Sequence, residues 1–111
     1  MGFYTFAEME KEVVTPRHST AYGELLTGEE IEVGHLSYKG GEGAERHSHP
    51  QEQILVVLHG RVRVELEGET RVLTAGQAFH ALPHVRHSLA ALEDTEVLSC
   101  KRVVDGAGHR I

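Results

Sequence analysis

Two histidines one residue apart, His47 and His49, stand in a stretch from Gly41 to Gly60 that reads GEGAERHSHPQEQILVVLHG. In an extended strand alternate side chains share a face, so both imidazoles are expected to point the same way. Such a pair is half of a transition-metal site, because imidazole nitrogen suits zinc, iron, nickel and copper, with manganese also admitted. A second basic turn, Pro83-His84-Val85-Arg86-His87, lies far enough along the chain to return a third imidazole from another strand. An oxygen-donating ligand has two candidates, Glu52 and Gln53. A carboxylate is the better partner for a divalent ion. Parity points the other way: Gln53, Leu55 and Val57 share one face of a strand, and Glu52 turns to the opposite side. Gln53 is the expected ligand; the alternative is that it only caps the strand and leaves three protein ligands.

The elements that must hold these groups read as short strands. Arg61 to Glu67 alternates strictly, which makes a half-buried strand with Val62, Val64 and Leu66 inward. Ser19–Leu26 and Ile31–Tyr38 flank Thr27-Gly28-Glu29, a hairpin turn. Lys39 to Gly43 reads as a flexible connector. Further strands are expected over Thr70–Leu73, Ala78–Leu82, His87–Leu92 and Val97–Val104, with turns at Gly68, Gly76, Pro83 and Glu93-Asp94. Strands at about ten-residue spacing with turn residues between them predict an antiparallel sandwich or barrel. Residues 1–18 form an N-terminal arm. Its aromatic cluster, Phe3, Tyr4 and Phe6, reads as an edge strand or as packing on a neighbour, and Glu8–Glu12 as one helical turn.

The spacing also resembles a known family. Gly41, five residues, His47-Ser48-His49, three residues, Gln53, six residues and Gly60 resemble the first cupin motif over 41–60. Residues 68–87 resemble the second, with Gly76 in the Pro-x-Gly position and Pro83 four residues before His87. Gln53 replaces the usual Glu, and Thr74 stands where the second motif usually has Pro. The pattern is similar to that of small single-domain cupins of the RmlC-like superfamily with His-x-His-x3-Gln. The resemblance implies an all-β fold, an antiparallel jelly-roll barrel, with one domain over residues 1–111. It implies one divalent transition metal on His47, His49, Gln53 and His87, and a homodimer.

Composition bounds the rest. A chain of 111 residues is one domain by length. Its formal net charge of -6 excludes nucleic acid as an expected partner, since phosphate binding needs a basic face. No run approaches the ~18 apolar residues of a membrane span. Cys100 is the only cysteine, so no internal disulfide forms, which fits a cytoplasmic protein. Of the remaining histidines, His84 is expected at an exposed turn tip, and His18, His35, His59 and His109 as non-ligands. His80, Tyr38 and Arg86 are the candidates for an acid or base in the pocket. The expected function is a metal-dependent enzyme acting on a small oxygen-rich molecule by isomerase-, cyclase- or lyase-like Lewis-acid chemistry. A cupin dioxygenase and a non-catalytic metal- or ligand-binding cupin are the alternatives. Uronate-ketonising cupins are similar in their His, His, Gln, His pattern. They carry an Asp and an Arg near the C-terminal end, where this chain reads Leu98-Ser99-Cys100-Lys101-Arg102.

Overall fold

Alternation in the sequence becomes alternation of burial in the computed structural model, which describes residues 1–111. Ten strands form: β1 (Glu12–Val13), β2 (Tyr22–Thr27), β3 (Ile31–Tyr38), β4 (Gly43–His47), β5 (Gln53–His59), β6 (Arg61–Leu66), β7 (Glu69–Thr74), β8 (Ala78–Ala81), β9 (His87–Ala91) and β10 (Thr95–Arg102). They make two antiparallel sheets, β1-β2-β3-β10-β5-β8 and β4-β9-β6-β7. The architecture is a jelly-roll whose sheets stay open along their edges and do not close into a continuous barrel. No helix is long and apolar enough to cross a membrane.

Inward positions recur every second residue. Val62 and Val64 on β6, Leu55 and Val57 on β5, and Val97 on β10 join Leu25, Leu36, Phe79 and Leu89 in one core. Fully burying each such side chain contributes about 1.5–3 kcal/mol, which drives the two sheets face to face. The same parity carries polar groups inward: Glu32 and Tyr38 on β3, Gln53 on β5, and Ser99 and Lys101 on β10 are all buried. The interior is apolar toward one end and polar toward the other.

Some boundaries differ from expectation. Gly43 opens β4 rather than closing a loose connector, and it lies against β9 with Gly43 opposite Ala90. A Cβ there would sit 2.0 Å from the Leu89 carbonyl oxygen, so only glycine permits this approach. The aromatic arm forms no strand: the helical element is a 3-10 turn at Phe6–Glu8, and Glu12 already belongs to β1. Phe3 and Tyr4 are exposed, while Phe6 lies 5.5 Å from the His35 ring. Beyond β10 the chain folds back as a bent tail that buries His109.

Candidate metal centre

The β4–β9 pairing sets His47 directly opposite His87, which joins the two sequence motifs in one ladder. His49 lies beyond the end of β4, in the turn before β5. That turn is tied to the second motif by a hydrogen bond from the His84 N–H to the His49 carbonyl at 2.8 Å. The three rings stand 4.6–5.4 Å apart between centroids. Their candidate ligand atoms all lie within 4.8 Å of one another, close enough to hold a metal ion.

The protonation pattern follows from the hydrogen bonds. Nδ1 of His47 meets the Glu45 carbonyl at 2.6 Å, Nδ1 of His49 the Gln51 carbonyl at 2.8 Å, and Nδ1 of His87 the Val85 carbonyl at 2.9 Å. A carbonyl only accepts, so each Nδ1 carries the hydrogen and each Nε2 keeps a lone pair. Nε2 of His49 and of His87 is buried without any partner. Buried polar atoms are normally satisfied, so two unpartnered nitrogens in one cluster suit the binding of a cation. Burial, followed by the charge of Lys101, pushes His49 down to about 3. Burial also lowers His47 and His87. The rings are therefore neutral and ready to ligate at ordinary pH.

Gln53 is held from behind by a directional chain. Its Nε2 donates to Ser99 Oγ at 2.9 Å, Ser99 Oγ contacts His109 Nε2 at 2.8 Å, and His109 Nδ1 contacts Glu32 Oε1 at 2.6 Å. Glu32 also accepts from the His109 backbone N–H at 2.6 Å and from the Thr27 hydroxyl at 2.5 Å. Burial would raise the Glu32 pKa, but these hydrogen bonds outweigh it and hold the carboxyl at about 2. With Glu32 ionised, His109 donates from Nδ1, Ser99 donates to its Nε2, and Ser99 in turn accepts from Gln53. The amide nitrogen of Gln53 is committed, and its carbonyl oxygen is left over.

His47, His87, Gln53, Ser99 and His109 line a cavity of about 30 Å³ together with Tyr38, Leu55, Phe79 and Lys101. Burial raises the Tyr38 pKa, keeping the phenol protonated. Burial pushes Lys101 down to about 8 against the pull of Glu32.

Of the expected acid–base candidates, only Tyr38 lines the cavity. His80 alternates with inward-facing Phe79 and Ala81, so it faces outward, where its Nε2 lies 2.6 Å from Glu52. Arg86 is exposed in the turn before β9. Neither His80 nor Arg86 is among the residues lining the cavity. Glu52 is on the outside, as parity required. Three cavity residues escaped the sequence reading. Ser99 and Lys101 share the inward face of β10 with Val97, a parity signal that was there to be read. His109 lies in a tail without periodicity and gave none. His18, also read as a bystander, stacks on His47 at 4.9 Å with the rings nearly parallel.

Residues 34–100 match the family model described as Cupin domain, and the chain belongs to that family. Solved structures agree on the fold. An RmlC-like cupin from Shewanella frigidimarina NCIMB 400 superposes with a TM-score of 0.83 at 22% identity, over 95% of this chain and 93% of that one. KdgF from Halomonas sp. gives 0.81 at 28% identity, over 92% and 93% of the two chains. The conserved SPY1581 protein of Streptococcus pyogenes gives 0.65 at 20%, over 86% and 75%. No curated protein matches the chain.

Proposed function

We propose that this cupin is a metal-dependent enzyme acting on a small oxygen-rich molecule, with His47, His49, His87 and Gln53 holding one divalent transition metal. The carrying observation is the convergence of three imidazoles whose Nδ1 atoms are all spent on backbone carbonyls. When bound, the ion supplies Lewis acidity that polarises a carbonyl or enolate oxygen. The ligand set is neutral throughout, so it leaves the full positive charge of the ion available to an anionic oxygen.

The chain's own residues do the rest. Ser99 and His109 hold the Gln53 amide so that oxygen rather than nitrogen is its free donor. Leu55, Phe79 and Leu89 wall the cavity with apolar surface and exclude bulk water from the reacting end of the substrate. Tyr38, kept protonated by burial, is a hydrogen-bond donor. Proton-bearing side chains beside the imidazoles favour an enzyme over a passive binding protein. The likeness to KdgF from Halomonas sp. and the His, His, Gln, His pattern shared with uronate-ketonising cupins support the same reading.

The test is a zinc- or iron-loaded sample offered a panel of small hydroxy and keto compounds in deuterated buffer, followed by proton NMR. Deuterium entering at the carbon beside a carbonyl, and lost in the His47→Ala/His87→Ala variant, is the expected result. Oxygen uptake with iron but not zinc would assign the protein to the dioxygenases instead. Full metal occupancy with neither exchange nor oxygen uptake would make it a binding protein.

A further inference from the structure

One cationic side chain lines the cavity without a contact partner. Lys101 projects from the inward face of β10, is only 4% exposed, and lines the cavity with His47, Gln53 and His87. Its ammonium enters none of the chain's ion pairs or side-chain hydrogen bonds; the lysine that does is Lys11, which pairs with Glu24 on β2. The inward carboxylate of Glu32 is already engaged by Thr27, His109 and Arg110. Glu32, opposite Lys101 on β3, attracts the ammonium, but no hydrogen bond or ion pair joins them, and the imidazoles and the Gln53 amide are neutral. A cation set toward an interior cavity without a contact partner is unfavourable, and an anionic ligand would relieve that cost.

We propose that Lys101 anchors a carboxylate, and that the substrates are small hydroxy or keto carboxylic acids entering this cavity carboxylate-first. The cavity is small, about 30 Å³, so the narrow planar end of a carboxylate enters it more readily than a tetrahedral phosphate. The neighbouring hydroxy or keto oxygen would fall on the imidazole side, and that half rests on the metal-centre reading under Proposed function. The anchor itself rests on Lys101 alone.

The experiment uses glycolate, its neutral counterpart ethylene glycol, and inorganic phosphate. Calorimetric titrations are run on metal-free and zinc-loaded protein, with zinc stoichiometry measured in parallel. Wild type is expected to bind glycolate in both forms and to ignore ethylene glycol. Lys101→Met should weaken glycolate binding at least tenfold while keeping zinc, and Lys101→Arg should retain most of it. In anion-free buffer Lys101→Met should melt no lower than wild type, because it removes a buried unpaired charge. Should that variant fail to fold, the Lys101 Nζ resonance of wild type, shifted by glycolate and not by ethylene glycol, reads the same contact. Equal glycolate affinity in wild type and Lys101→Met overturns the proposal, as does an unmoved Nζ resonance or tighter binding of phosphate. Glycolate binding without zinc uptake would sink the metal reading and leave the anchor standing.

Discussion

Each imidazole of the three-histidine cluster depends on a backbone carbonyl two residues away: Glu45 for His47, Gln51 for His49 and Val85 for His87. Local chain geometry therefore sets the tautomer before any metal arrives, and the ligands need little reordering on binding. His47→Ala with His87→Ala is expected to abolish stoichiometric zinc by elemental analysis and to erase the Tm rise that zinc gives wild type. Gln53→Glu should bind zinc about tenfold more tightly by competition titration while slowing turnover, because added negative charge strengthens ligation and quenches Lewis acidity. Acid should act on the metal-free protein through Glu32 and His109. Glu32 is held at about 2 against an ordinary 4.5, and burial lowers His109 from 6.5. Both groups carry fewer protons folded than unfolded, so stability falls as pH drops, first through the histidine range and then between 4.5 and 2. His47, His49 and His87 act in the same direction. Glu32→Gln should remove the lower part of that loss in melting curves taken across pH. At this scale parity in the sequence separated Gln53 from Glu52 correctly. It left the face of His80 open, because Ala78-Phe79-His80-Ala81 offers no long apolar alternation to say which side is in.

The strands themselves were legible wherever branched apolar residues alternate with charges, as in β6, and wherever glycine or proline marked the turns. β4 was not, since Gly43-Ala44-Glu45-Arg46-His47 carries no strand-forming side chains and becomes a strand only by pairing with β9. Tertiary pairing overrode local preference there. This pairing also places His47 opposite His87, so damage to it should reach the site. Gly43→Ala drives a methyl into the Leu89 carbonyl, and the strands must part to admit it. The expected cost is about 1–3 kcal/mol of stability by urea denaturation, with zinc affinity reduced in step. Gly2→Ala, whose added carbon meets only Tyr4 at an ordinary 3.9 Å, is the space-filling control.

For the whole molecule, the jelly-roll architecture followed from strand spacing and the two motifs, while its open edges and its tail did not. No periodic pattern announces residues that are buried singly, as His109 is. The assembly state rests on the arm. Phe3 and Tyr4 expose their rings, and residues 1–5 lie outside both sheets. Apolar surface of this kind and an unpaired sheet edge favour cover by a second copy. A homodimer is the expected mass by light scattering, and deletion of residues 1–6 should shift it toward monomer.

The contact between His109 and Glu32 spans 77 residues of sequence, and Ser99 and Gln53 are oriented through it. This bears on the order of events during folding. A chain whose last residues have not yet folded back already carries all three imidazoles, yet it lacks the group that fixes the Gln53 amide. Loop closure over such a separation comes late in folding, after the local hairpins. The folding protein should therefore pass through a stage in which the three histidines have converged while the Gln53 amide is still free to turn. Only when residue 109 docks does the interior become the one described here.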